Sequence, residues 1–590
     1  MAQVVILPKL LLRDLLWQAW SNLAKKYQLK KNLFKKEQIK IEYPANPKFG
    51  DYATNISIIA FKKLESPVDL GKLLVKELRS LSSLVKKENL IPWAKIEFVS
   101  PGFINFYLSS DYLFQLAKAV FESKALSELK KIGRGKTMVI DYSSPNIARS
   151  FGVGHLRSTN IGQAIYNLYQ ALGWRVIGDN HLGDWGTQFG ALIYQILRQK
   201  NKKELTIADL ERLYVEFHQE AEKNPLLIKK ARLWFKKLES SETKARNIWR
   251  LCLEISKKEF QRIYQLLGVK FDYELGESFY QDKMAEVLSD AKKKGILVKS
   301  RGALVIRIPG AKTPGMLVKS DGATTYLLRD LATIKYRLAT WKPDLIVYEV
   351  GADQKLHFKQ LFALAEMLGY CPREKLVYLA HGLIRWKGGK FSTRKGQTIH
   401  LEEVIQEAIK KASKIIAKSE TSKNLTEKEK QLIAQKVGIG GVKFNDLKQE
   451  PEKGVVFDWN KILSLEGYSA CYLQYTLARC FSILDKAGKT DFDQEKALPK
   501  KLILSSEEET LLRTFYRFPE IIQLAAKEFS PHFLAGYLFG LAQKFNWFYQ
   551  KRRILNEKNK RNWRLFLTAT TAKILACGLE ILGVPVLKKM

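Results

Sequence analysis

The sequence predicts an α/β protein in three parts: a Rossmann-type parallel-sheet domain with helical insertions, an N-terminal α+β domain before it and an all-α C-terminal domain after it. Three observations carry the prediction. From Thr137 onward, short apolar runs alternate with helical patterns, the grammar of a parallel sheet with crossover helices. Between about residues 192 and 291 the pattern turns long, charged and helical, which reads as an insertion into that sheet. After about Val455 helical periodicity runs to the end. At 590 residues the chain also exceeds what one hydrophobic core supports, roughly 250–300 residues.

Residues 1–112 are assigned to the first domain. The first hundred or so residues close with "VSPGFINFYLS", whose Pro-Gly pair and alternating pattern read as a hairpin, and the lysine-rich "LKKIGRGK" that follows reads as a linker. Residues 113–455 form the sheet domain. Within it "TMVIDY" (137–142) is a buried strand, and Leu156, Ile161, Ile165, Leu168 and Leu172 recur near a 3.6-residue period, predicting a helix packed by one face. "RVIGDN" (175–180) is the second strand, and "DLIVYEV" (344–350) is a later one followed by a helix through Leu368. Residues 456–590 are the helical third domain.

The composition, 46% hydrophobic and 11% aromatic, is that of a soluble globular chain. No apolar run approaches a membrane span and no secretory leader is recognisable, so a cytoplasmic location and no membrane partner are expected. Five cysteines, Cys252, Cys371, Cys471, Cys480 and Cys577, form no C-x-x-C pair, which argues against a disulfide framework or zinc ribbon. Lysine and arginine number 99 against 60 acids, a net charge of +39, and an excess of this size points to a polyanionic partner such as a nucleic acid. Basic clusters interleaved with aromatics lie near both ends, "KKYQLKKNLFKK" (25–36) and "WFYQKRRILNEKNKRNWR" (547–564), which suits a long ligand contacted twice.

The chemistry concentrates after the first strand of the sheet. "SSPNIARSFGVGHLRSTNIGQAI" (143–165) sets Gly152, Gly154 and His155 at a strand-to-helix turn. Helix N-termini present free backbone N–H groups, and glycine lets a ligand approach them, so the turn is a candidate phosphate site. "GDNHLGDWGTQFG" (178–190) adds His181, Asp184 and Gln188 at the end of the second strand, the edge at which parallel sheets bind ligands.

These runs resemble the catalytic core of class I arginyl-tRNA synthetases, with "VGHLRST" standing where that class has its HIGH signature. The second signature, KMSKS, is matched by "GGKFSTRKG" (388–396). "NPKFGDYATN" (46–55) and "SPGFINFYLS" resemble the family's N-terminal, tRNA-elbow-contacting domain; "VFDWNKILSLEGYSACYLQYTLAR" (456–479) and "AKILACGLEILGV" (572–584) resemble its anticodon-binding domain. The resemblance implies a monomer that converts arginine and ATP to arginyl-adenylate and passes the arginyl group to tRNA(Arg), with tRNA needed before activation proceeds. Mg²⁺ would travel with ATP, and no protein metal site is expected.

The resemblance also implies residue roles. Arg149, His155, Lys390, Ser392 and Lys395 are the catalytic set, with Gly152, Gly154, His155, Lys390 and Ser392 on ATP and the Lys390 segment closing over pyrophosphate. Such a set holds glycines and cations because the reaction needs positioning and charge stabilisation rather than a protein nucleophile. Asp141, Ser144, Asn146, Tyr326, Asp330 and Gln354 match the family's arginine pocket, and a guanidinium is best met by planar acids with amide or phenol acceptors. Tyr472, Tyr475 and Met590 are anticodon candidates. The chain departs from the family pattern at Gly152, where the first signature histidine is common, at Arg149, where a lysine is common, and at Thr393, the second lysine position of the loop. Gly152 and the large positive charge motivate one alternative, a non-catalytic RNA-binding paralogue, against which the intact set Asp141, Asn146, Tyr326, Asp330 and Gln354 argues; a class I synthetase for another amino acid is a second, hard to reconcile with two acids poised for a cation and no zinc motif.

Overall fold

The computed structural model describes residues 7–28, 35–61, 70–85, 92–199, 204–386, 400–418, 423, 425–488, 503–557 and 559–590. Three antiparallel strands, β1 (Tyr52–Thr54), β2 (Trp93–Val99) and β3 (Phe103–Leu108), open the chain in the order β1-β3-β2. The β2–β3 hairpin turns at Pro101-Gly102, with Val99 opposite Phe103. Helices Pro8–Lys26 and Leu70–Val85 pack together beside this sheet, burying Leu16, Trp20, Leu74 and Leu78 completely.

β4 (Thr137–Asp141) and β5 (Arg175–Asp179) begin the parallel sheet. The charged insertion between them and the next strand of that sheet is helical, comprising Ile207–Lys223, Leu226–Glu239, Thr243–Leu267 and Met284–Lys293. It is followed by an antiparallel trio outside the predicted elements, β6 (Leu297–Ser300), β7 (Ala303–Ile306) and β8 (Gly315–Val318). β9 (Leu345–Gly351) and β10 (Leu376–His381) complete the sheet in the order β10-β9-β4-β5, all parallel. Met138, Val139 and Ile140 of β4 are all fully buried, as a strand covered on both faces requires. From β4 the chain crosses one way to β5, and from β9 it crosses the other way to β10. The carboxyl ends of β4 and β9 therefore flank the switch point at which such sheets bind ligands.

The helix Gly154–Ala171 departs from the one-faced packing expected of it. Arg157, Ser158, Thr159, Asn160 and Gln163 are buried along with its apolar residues. One face meets the sheet, and the other meets helices Glu427–Leu447 and Arg517–Lys527, so the middle of the helix is covered on both sides and exposure is confined to its ends, at Gly154 and Gln170. Helical architecture also starts before Val455: Leu401–Ala417 and Glu427–Leu447 precede it, and two short strands, β11 (Ile384–Trp386) and β12 (Val455–Phe457), pair in parallel alongside. From Trp459 onward the described residues are helices and connecting loops. Both chain ends meet: Tyr52 Oη donates to Glu520 Oε1 at 2.8 Å, and Asp51 pairs with Arg513. Four of the five cysteines are buried and Cys577 is half-buried, all as thiols.

Helix Glu427–Leu447 carries a fully buried lysine. Lys443 Nζ donates to the carbonyl of Leu267, at the C-terminus of helix Thr243–Leu267, at 2.6 Å, and burial pushes its pKa down to about 7. The unfolded chain therefore binds more protons than the folded one between pH 7 and the ordinary lysine value, and in that window stability rises with pH. Lys443→Met is expected to raise Tm most at pH 6–7, roughly the pH where burying the charge costs most, with the gain shrinking toward about pH 10. Thermal unfolding monitored by circular dichroism across that range tests it; a gain independent of pH would show that the lysine is buried without titrating.

Candidate active site

β4 ends at Asp141, and the chain turns through residues 142–153 before the helix opens at Gly154. Ser143, Ser144 and Ala148 lie in the left-handed region, with φ of 71°, 44° and 61°. Such conformations cost about 1–3 kcal/mol each and persist only when the surroundings impose them. Here they are imposed by hydrogen bonds. Ser143 N–H donates to Ser158 Oγ at 2.9 Å, Ser144 N–H to Asn180 Oδ1 at 3.1 Å and Ala148 N–H to Ser256 Oγ at 2.9 Å. Asn146 bridges to Gly183, and a Cβ on Gly183 would fall 2.1 Å from Asn146 Oδ1, so a larger residue there would displace the Asn146 side chain.

Gly154 is glycine for a different reason. It is exposed, and an added Cβ would meet no atom within 4 Å. Nothing in the fold requires it; the N–H groups of His155 and Leu156 donate to Gly152 O and Val153 O, so the approach left open to an incoming anion is at the Gly154 backbone. Beside it, the Nδ1 of His155 is buried without a hydrogen-bond partner among the described residues. Burial lowers the pKa of this imidazole; the Gly152 backbone works against that, but the nearby charges of Arg149 and His381 add to it and the net direction is down from the ordinary histidine value, which favours the neutral ring at pH 7. Gly152 is buried and bridges to His400, and Leu401 N–H donates to Phe151 O at 2.8 Å. The chain thus returns to the first signature directly after the second. Lys390, Ser392, Thr393 and Lys395 lie outside the described residues.

Of the arginine-pocket candidates, Asp141 already faces a guanidinium belonging to this chain. Asp141 Oδ2 accepts from Arg337 Nη2 at 2.7 Å, and Asp179 Oδ2 accepts from the same nitrogen at 2.8 Å. Burial disfavours the Arg337 charge, but the two carboxylates more than offset it and raise its pKa. Ser144 Oγ donates to the other oxygen of Asp141 at 2.9 Å. Asp141 and Ser144 thus form one bonded unit at the strand end.

Tyr326 and Asp330 open the helix Tyr326–Trp341, where Thr325 caps by accepting from Leu328 N–H. Tyr326 is exposed and shares a cleft of about 200 Å³ with Asn146, Arg149, Gln188 and Tyr214. One turn further on, Asp330 Oδ2 lies 2.6 Å from His357 Nε2. Burial pushes Asp330 up, yet the His357 hydrogen bond and charge outweigh it and leave the carboxyl below its ordinary value; the same contact raises His357. Gln354 ends the short turn Ala352–Gln354 after β9, exposed and without a side-chain hydrogen bond among the described residues.

Sequence reasoning missed four charged groups at this edge. His381 ends β10, its Nδ1 2.8 Å from Glu349 Oε1, and Glu349 raises its pKa against the effect of burial. Glu277 receives Arg329 Nη1 at 3.0 Å, with its own carboxyl pushed up to about 7 by burial. His357 and Arg337 complete the set. Each belongs to no motif, and only the folded sheet edge brings them together. Among the described residues no group of three or more His, Cys, Asp or Glu could hold a metal ion, and no helix is long and apolar enough to cross a membrane.

Known proteins share this architecture throughout the chain. Residues 116–459 match the class I (R) tRNA synthetase catalytic domain, residues 473–590 the DALR anticodon binding domain, and residues 12–108 the arginyl-tRNA synthetase N-terminal domain. An arginine–tRNA ligase of Clostridium kluyveri is 39% identical over 556 residues, covering 93% of this chain and 96% of that protein. One of Fusobacterium nucleatum is 38% identical over 575 residues, covering 95% and 97%. The solved arginyl-tRNA synthetase of Plasmodium falciparum superposes with a TM-score of 0.82 at 25% identity, covering 99% of both chains. With a bared helix N-terminus and a neutral histidine at the sheet's switch point, and these relatives along almost its whole length, the chain belongs to the class I arginyl-tRNA synthetase family.

Proposed function

We propose that the chain is an arginine–tRNA ligase, which activates L-arginine with ATP and transfers it to the 3′ end of tRNA(Arg). The observation that carries the reading is the juxtaposition of the exposed Gly154 and the unpartnered His155 Nδ1 with the cleft of Asn146, Gln188 and Tyr326. In the first step the arginine carboxylate attacks the α-phosphate and pyrophosphate leaves; in the second, a ribose hydroxyl of tRNA takes the arginyl group and AMP leaves. The chain's residues bind and orient. The Gly154 backbone at the helix N-terminus receives the nucleotide, and neutral His155 donates an imidazole N–H to a phosphate or ribose oxygen. Lys390, Ser392 and Lys395 act on the pyrophosphate. Tyr326 and Asp330 take the guanidinium, while Asn146, Ser144 and Gln354 orient the reacting end of the amino acid and Asp141 holds that wall together through Arg337. Mg²⁺ would accompany ATP and neutralise its phosphates; residues 142–153 contain no carboxylate, which fits an ion held by phosphate oxygens.

Aminoacylation of purified tRNA with each of the twenty amino acids tests the reading. Arginine alone should be charged; no charging would favour an RNA-binding paralogue, and a different amino acid would favour another class I synthetase. ATP–pyrophosphate exchange is expected to require tRNA, so brisk exchange with arginine and ATP alone would overturn that dependence. The C-terminal helices form a basic cleft containing Tyr475, Arg479, Tyr549 and the terminal Met590, which we assign to the anticodon arm. Light scattering is expected to give a monomer, and the cytoplasm is the proposed location.

A further inference from the structure

The helix that opens the active site contains an ion pair that stability does not explain. Arg157 and Asp446 are each only 1% exposed, and Arg157 Nε donates to Asp446 Oδ1 at 2.7 Å. The guanidinium reaches further: Nη1 donates to the carbonyl of Gly382 at 2.9 Å and to that of Lys453 at 2.6 Å. Asn160, one turn on, donates from Nδ2 to Asp446 Oδ2 at 3.0 Å and to Lys443 O at 2.9 Å. Nη2 of Arg157 and Oδ1 of Asn160 are buried without partners among the described residues.

Burying two charges costs several kcal/mol per ion, and well-packed apolar residues of similar volume often serve stability equally well or better. What an apolar pair cannot do is fix direction. Gly382 follows His381 at the end of β10 and precedes β11; Lys453 precedes β12, the partner of β11; Asp446 lies on helix Glu427–Leu447. One forked side chain thus ties the first turn of the signature helix to the corner carrying His381, to the β11–β12 pair and to helix Glu427–Leu447. Ser158, its neighbour, adds a bond from Oγ to Glu349 O at 3.0 Å.

We propose that Arg157, held by Asp446, is a positioning residue for adenylate formation: it sets His155 and the bared N-terminus at a fixed offset from the His381–Glu349 edge. The inference rests on the proposed ligase activity, so wild-type enzyme must first charge tRNA with arginine. Failure there removes the functional reading and is separate from any result with the variants.

The test compares wild type, Arg157→Lys and the apolar pair Arg157→Met/Asp446→Leu in the full-length protein. Tm is followed together with tRNA-supported ATP–pyrophosphate exchange. The apolar pair is expected to keep Tm close to that of wild type while the exchange kcat falls about tenfold or more, with arginine KM within about twofold, as expected for a group acting on transition-state geometry rather than arginine binding. Recovery of exchange together with Tm would show that Arg157 only packs, and would overturn the proposal. If the apolar pair does not fold, Arg157→Lys decides: it keeps the charge but loses the fork, so a comparable fall in kcat is expected, and wild-type exchange by the folded lysine variant would overturn the proposal equally.

Discussion

Asp330→Asn is expected to lower kcat/KM for arginine by about 10- to 150-fold, the equivalent of a charge-assisted hydrogen bond worth about 1.5–3 kcal/mol, while KM for ATP changes little. Asp330 lies one turn into helix Tyr326–Trp341, behind the exposed Tyr326 ring, and its carboxyl is kept ionised by His357 at 2.6 Å. Asparagine keeps the shape and loses the charge. Arginine titrations of the aminoacylation rate at saturating ATP measure the effect, and an unchanged kcat and KM would remove Asp330 from the pocket. The same contact gives a pH signature. His357 is raised by Asp330, so at low pH an imidazolium competes with substrate for that carboxylate, and KM for arginine should fall as pH rises from about 6 to 8. His357→Gln should flatten that profile.

Much of this arrangement was legible in the chain. The alternation of "TMVIDY", "RVIGDN" and "DLIVYEV" with helical patterns predicts β4, β5 and β9, because buried parallel strands read as apolar runs. The 3.6-residue period located the signature helix but described its packing wrongly: Arg157, Ser158 and Asn160 look like a solvated face in sequence, and are buried only because two helices from distant segments cover them. Short strands such as β6–β8, β11 and β12 carry three or four residues each, too few for a periodic signal. The site divides in the same way. Motif residues such as His155, Tyr326 and Asp330 could be named from a resemblance, whereas His357, His381, Glu277 and Arg337 sit outside every motif. Their significance is set by partners 27 to 196 residues away in sequence, and no local pattern encodes that.

The missing first histidine of the signature makes the supply of positive charge the sharpest remaining question. Phosphoryl chemistry concentrates charge on the α-phosphate and the departing pyrophosphate, so preorganised cations must face both. Gly152 contributes none; it is buried and engaged through its backbone with His400. Arg149 is placed to take over. Its guanidinium is exposed, stacks 5.0 Å from the Tyr214 ring of insertion helix Ile207–Lys223, and lines the same cleft as Asn146 and Tyr326. Its charge also reaches His155, whose pKa it helps to depress after burial. A cation–π contact at an exposed site is worth only about 0.5–1 kcal/mol, so Tyr214 aims the arginine without immobilising it, and the fork remains available to phosphate. Arg149→Ala is therefore expected to slow adenylate formation by a factor on the order of ten to a thousand, comparable to losing one oxyanion donor, with arginine KM little changed. Tyr214→Leu, which removes only the platform, should fall between that variant and wild type. Single-turnover adenylate formation with tRNA present is the measurement. A wild-type rate in Arg149→Ala would assign the missing charge elsewhere, to Lys390, Arg394 or Lys395 of the second signature, or to His381, whose pKa Glu349 raises at the edge of the same site.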